Sequence, residues 1–98
     1  MKQNARLTDL LRGRAVTSIE EEHTTVTITF QDALVMRIHA EGRIASGIEK
    51  LSKVREVLEE GLSMEIWFED DQKLVLRLAN PGNAVSVRDE ANEVLYLG

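Results

Sequence analysis

The chain has 98 residues and a formal net charge of −5, with 43% hydrophobic and 30% charged residues and no cysteine. That length and mixture define one domain with room for a single core and argue against disorder, while the missing cysteine excludes disulfides and thiolate chemistry. The acidic balance argues against a general nucleic-acid binder, which needs a basic face.

With one Trp, one Tyr and two Phe, the core has to rest on Val, Ile, Leu and Met. No run approaches the roughly 18 apolar residues of a membrane span, and the opening MKQNARLTDLL lacks the apolar centre of a signal peptide. A cytoplasmic protein without a membrane partner is the expectation.

From the N-terminus, Asn4 is placed to cap a short helix over Ala5–Arg12, with Leu7, Leu10 and Leu11 on one stripe and Gly13 as its stop. A helix this short is not stable in water alone, so it should dock on the sheet. Arg14–Glu21 reads as a strand of weak alternation, turning at Glu22-His23-Thr24 into Thr25–Phe30. There Val26, Ile28 and Phe30 share one face, and Thr25, Thr27 and Thr29 share the other. Leu34–Ala40 returns with Leu34, Met36 and Ile38 inside and Phe30 opposite Leu34, around Gln31-Asp32-Ala33.

The hairpin pattern occurs twice. Val26–Gly42 (VTITFQDALVMRIHAEG) and Met64–Gly82 (MEIWFEDDQKLVLRLANPG) align as an internal hairpin repeat, with a two-residue length difference in the turn. Leu34 then matches Leu74. In the second hairpin, Leu62–Glu69 and Lys73–Ala79, Phe68 stands opposite Leu74, Trp67 opposite Val75, and Glu65 opposite Arg77.

Between the two hairpins, Ile44, Ile48, Leu51, Val54 and Leu58 fall at helical spacings, which predicts a central helix from about Ala45 to Glu60. The repeat argues otherwise, since it projects Val16 and Ile19 onto Val54 and Val57 and would make Lys53–Glu59 a strand. The helical spacing is the longer pattern and is preferred. After the turn Asn80-Pro81-Gly82-Asn83, a last hairpin joins Ala84–Arg88 to Glu93–Leu97 around Asp89–Asn92.

The fold expected is α+β: one domain spanning residues 1–98, with an antiparallel sheet of two related meanders and a C-terminal hairpin, a short N-terminal helix and a central helix. The core should hold Leu10, Val26, Ile28, Phe30, Leu34, Met36, Ile38, Ile48, Leu51, Ile66, Phe68, Leu74, Leu76 and Leu78.

No nucleophile–base order and no phosphate or dinucleotide motif occurs, so no catalytic residue and no cofactor is assigned. His39 and His23 have no ligand set for zinc, and the acidic turns Glu20-Glu21-Glu22 and Glu69-Asp70-Asp71 lack the spacing of a calcium loop, so no metal is expected. Alternation sends Trp67 to the face away from the core. Together with Val75, Glu65, Arg77, Arg37 and His39 it has the make-up of an interface, an aromatic anchor in a charged rim, and the equal alternative is that one of the two helices covers it as a second small core.

The function expected is a non-enzymatic binding or assembly module, most simply a homodimer formed through a sheet face or an edge strand. The alternatives are an acidic inhibitor that captures a basic partner through its acidic turns, and a small-ligand carrier lined by His39, Arg37, Arg77 and Trp67.

Overall fold

The computed structural model describes residues 1–44, 48, 51–80 and 82–98. The described residues are mostly antiparallel sheet with one short helix. In chain order the elements are β1 (Lys2–Gln3), α1 (Ala5–Leu11), β2 (Val16–Glu22), β3 (Thr25–Phe30), β4 (Val35–Ile44), β5 (Val54–Glu60), β6 (Ser63–Phe68), β7 (Lys73–Leu78), β8 (Val85–Arg88) and β9 (Val94–Leu97).

One curled sheet runs β1-β5-β6-β7-β4-β3-β2, and β8 with β9 branches from β4. The first half of β4 lies between β3 and β8, and its second half pairs with β7. At the changeover the His39 N–H donates to the Ala84 carbonyl (2.8 Å) and the His39 carbonyl accepts from Ala79 (2.9 Å). β8 and β7 therefore meet β4 end to end along the same edge.

Alternation decides what faces inward. Val26, Ile28 and Phe30 on β3, Met36 and Ile38 on β4, Met64, Ile66 and Phe68 on β6, and Leu74 and Leu76 on β7 are all buried. Each such side chain contributes about 1.5–3 kcal/mol by leaving water. The sheet curls until its two meanders touch on the far side as well. Val16 N–H donates to Ser52 O (3.0 Å), Val54 N–H donates to Arg14 O (3.1 Å), and Ala15 bridges Lys53.

β2–β3–β4 and β5–β6–β7 pair in the same way, at an offset of 38 residues. Val16 faces Phe30 and Val54 faces Phe68, with a bulge after each valine that leaves Ser18 opposite Thr29 and Glu56 opposite Trp67. The tight turns carry positive φ at His23 (54°) and Gly61 (58°), and the wider turns carry it at Ala33 (66°) and Asp71 (63°). Thr29 pairs with Val35 where Trp67 pairs with Lys73.

These registers correct the sequence alignment. The two turns are equally long, so Leu34 corresponds to Gln72 and not to Leu74. Ile66, not Phe68, stands opposite Leu74; Glu65 stands opposite Val75, and Arg77 opposite Ser63. The alignment had matched like residues (Leu34-Val35 with Leu74-Val75) across a gap, whereas the pairing is set by which side chains face inward and by the positive-φ residue of the turn.

The central helix is also corrected. Residues 54–60 of it form β5, and residues 45–47 and 49–50 lie outside the described residues. The bulge explains the mistaken period. By adding one residue between Val54 and Val57 it brings both to the inner face at a spacing of three, which imitates a helical stripe. Leu51, expected in the core, is 57% exposed at φ 69°, in the left-handed bend that leads into β5.

α1 follows the expectation closely. The Asn4 side chain accepts from Leu7 N–H (3.0 Å), Leu7 and Leu11 are fully buried, Leu10 packs at the margin, and Gly13 ends the turn at φ 81°. It lies along the outer edge of β5. Thr8, fully buried, accepts from Val57 N–H (3.0 Å) through its hydroxyl, which donates back to the Val57 carbonyl (3.4 Å), and Asn4 N–H donates to the same carbonyl (2.8 Å). Replacing Thr8 by the isosteric Val leaves the buried Val57 N–H without an acceptor, which costs about 1–3 kcal/mol. Urea unfolding of Thr8→Val should show that loss with an unchanged m-value; a midpoint equal to wild type would show that the hydroxyl is dispensable.

Candidate functional site

The outer face of β5–β6–β7 is built around Trp67. Its ring points away from the core, half-buried, because Ile66 and Phe68 on either side point in. The β5 bulge places Arg55 over it, with Cζ 5.3 Å from the ring centroid, and the cross-strand partner Lys73 brings Nζ to 4.9 Å. The indole N–H donates to Glu65 Oε1 (2.9 Å), and Lys73 Nζ lies 3.9 Å from the same oxygen. Arg55 in turn pairs with Asp71 (2.8 Å) and stands 3.6 Å from Glu56.

This arrangement is a clasp across three strands. Each cation–ring contact contributes about 0.5–1 kcal/mol at a partly exposed site. Lys73 is 45% exposed and Asp71 82% exposed, so the ion pairs themselves contribute little. The first meander places Thr17, Thr29 and Val35 where the second places Arg55, Trp67 and Lys73; there the Thr17 hydroxyl donates to the Thr29 carbonyl (3.1 Å).

Of the residues chosen from sequence, Trp67, Glu65 and Val75 share this face, and Glu65 and Val75 are direct partners. Arg77 is exposed further along β7, opposite Ser63. Arg37 and His39 belong to the other meander, exposed on β4 opposite Thr27 and Thr25. His39 Nδ1 lies 3.4 Å from the Thr25 hydroxyl. The six thus run along the outside of the sheet. A shallow dent of about 100 Å³ holds His39 with Asn83, Ala84, Val85, Ser86 and Leu97, and a wider one of about 480 Å³ lies between Met1-Lys2 and Glu59-Glu60-Gly61. Neither includes Trp67, Arg37 or Arg77.

Sequence reasoning overlooked Arg55 and Lys73 as partners of Trp67, because the first stood in the expected helix and the expected register put Val75 opposite Trp67. It also gave no role to β9, where Val94 is 41% exposed, Leu95 38% and Leu97 64%. Four consecutive uncharged residues, VLYL, on the last strand were the available signal. Tyr96 alone of them turns inward, accepting from the Asn4 side-chain amide (2.9 Å) and lying under Arg6, whose Cζ is 5.1 Å from the ring.

Among the described residues no group of His, Asp and Glu side chains is gathered to hold a metal, and no helix is long and apolar enough to cross a membrane. No protein-family model, curated protein or solved structure matches the chain.

The clasp gives a measurable contribution. Trp67→Ala removes both ring contacts and the indole hydrogen bond, and should cost about 1–2 kcal/mol in urea unfolding while the far-ultraviolet spectrum is kept. Trp67→Phe, which keeps a ring but loses the N–H, should fall between. Equal stability of wild type and Trp67→Ala would reduce the clasp to a surface coincidence.

Proposed function

We propose that this protein is a non-enzymatic binding or assembly module that self-associates through a sheet face or edge. The observation that carries the reading is where the uncovered apolar surface lies: Val94, Leu95 and Leu97 are exposed together on a four-residue outer strand. Scattered exposed leucines are ordinary, but a contiguous apolar strand at a sheet margin marks a place where another chain pairs. The distribution of the sequence candidates supports the same reading, since Trp67, Arg77, Arg37 and His39 lie along the outside of two meanders and not around one concavity. On this reading the two meanders are copies of one unit, whose inner faces were kept for folding while the outer faces diverged.

A second reading has its own observation. The end of β2, Glu20-Glu21-Glu22, is exposed along its length on a chain of net charge −5, which suits capture of a basic partner.

Sedimentation velocity over a concentration series tests the preferred reading. A monomer–dimer equilibrium is expected, and a chain that stays monomeric at every concentration would remove it. Salt separates the two readings: capture of a basic protein weakens steeply as salt rises, whereas apolar self-association of an acidic chain strengthens as its mutual repulsion is screened.

A further inference from the structure

We infer that β9 is the joint, and that its occupant is the β9 of a second copy, paired antiparallel. The inference rests on the self-association reading and names its surface.

β9 is the outermost strand on its branch of the sheet, paired on one side with β8. Gly98 exchanges both backbone hydrogen bonds with Val85, each 2.9 Å. Backbone groups alternate sides along a strand, so Leu97, one residue earlier, turns its N–H and C=O to the open margin. Its side chain is 64% exposed, and Val94–Leu97 carries no charge.

The contrast with β2 is informative. That outer strand ends in three exposed glutamates, the usual means of keeping a margin from pairing. β9 has no such protection in the same small domain.

Charge decides both the occupant and the direction. The four side chains of the strand itself carry no charge to select a charged peptide, and an uncharged strand is complementary to itself. The acidic side chains that precede it in the chain, Asp89, Glu90 and Glu93, lie at its turn end. Antiparallel pairing about a twofold axis puts the two acidic turns at opposite ends of a four-residue joint, roughly 13 Å apart, which exceeds the ~8 Å screening length at physiological salt. Parallel pairing would set them side by side. A four-residue margin buries well under the ~1,000 Å² of a stable interface, so the dimer is a transient, concentration-dependent one.

The test uses the full chain with sedimentation velocity and amide hydrogen exchange by NMR. In the wild type a dimer should form, and exchange of the Leu97 amide should slow as concentration rises. Leu97→Lys, at an exposed position, should weaken association by about tenfold or more while leaving the unfolding midpoint in place. Trp67→Ser should leave the dimer intact. A dimer that survives Leu97→Lys but is lost in Trp67→Ser would overturn β9 as the joint and leave self-association standing. A wild type that is always monomeric would overturn both. If a soluble uncharged β-strand peptide protects the Leu97 amide while the chain remains monomeric, the margin belongs to a foreign strand and the pairing with a second copy is wrong.

Discussion

The structure depends on how one strand margin is satisfied. β5 lies next to β6 on one side, and on the other its backbone groups need partners or water. Three separate pieces of the N-terminal segment supply them in series. Residues 13–16 pair with 51–54, the Thr8 hydroxyl and Asn4 N–H serve Val57, and Lys2–Gln3 pairs with Leu58–Glu59. The helix is therefore more than a lid over apolar surface. By contributing a hydroxyl at the one point where no strand passes, it completes the ladder along β5 and holds the curled sheet closed at that seam.

Curvature comes from the matched bulges. An extra residue after Val16 and after Val54 bends β2 and β5, so that two short meanders wrap one core instead of stacking as flat ribbons. The same device re-aims a side chain. In the first meander the extra residue is Thr17, which bonds its neighbour's backbone; in the second it is Arg55, which lies over Trp67. One backbone irregularity thus serves folding in both meanders and shapes the surface in only one.

How much of this was legible in the sequence follows from which rules are local. The cap at Asn4, the burial of Leu7 and Leu11, the Thr-rich β3 and the first hairpin register could all be read, because propensity and alternation act over a few residues. β5 was misread, since a bulge converts the period of two into a spacing of three, and the weaker clue, Val16 and Ile19 projected onto Val54 and Val57, was the sound one. The second register failed for a different reason. Matching Leu74-Val75 to Leu34-Val35 rewarded identity, whereas the turn residue Asp71, at the same positive φ as Ala33, fixes the pairing. Trp67 was correctly sent outward; its cationic neighbours were not foreseen, since both depended on those two errors.

The two faces of the sheet answer to different constraints. Inward positions of the meanders hold Val, Ile, Leu, Met and Phe in corresponding places because both close on the same core. Outward positions are released from that demand, and there Thr29 answers to Trp67, Val35 to Lys73 and His39 to Arg77. The strand margins are a third class, bound by neither rule, since what matters there is whether backbone groups find partners. β5 finds them within the chain and β2 ends in glutamates that discourage them. β9 carries Val94, Leu95 and Leu97, and of the three it is the margin that leaves apolar side chains in water.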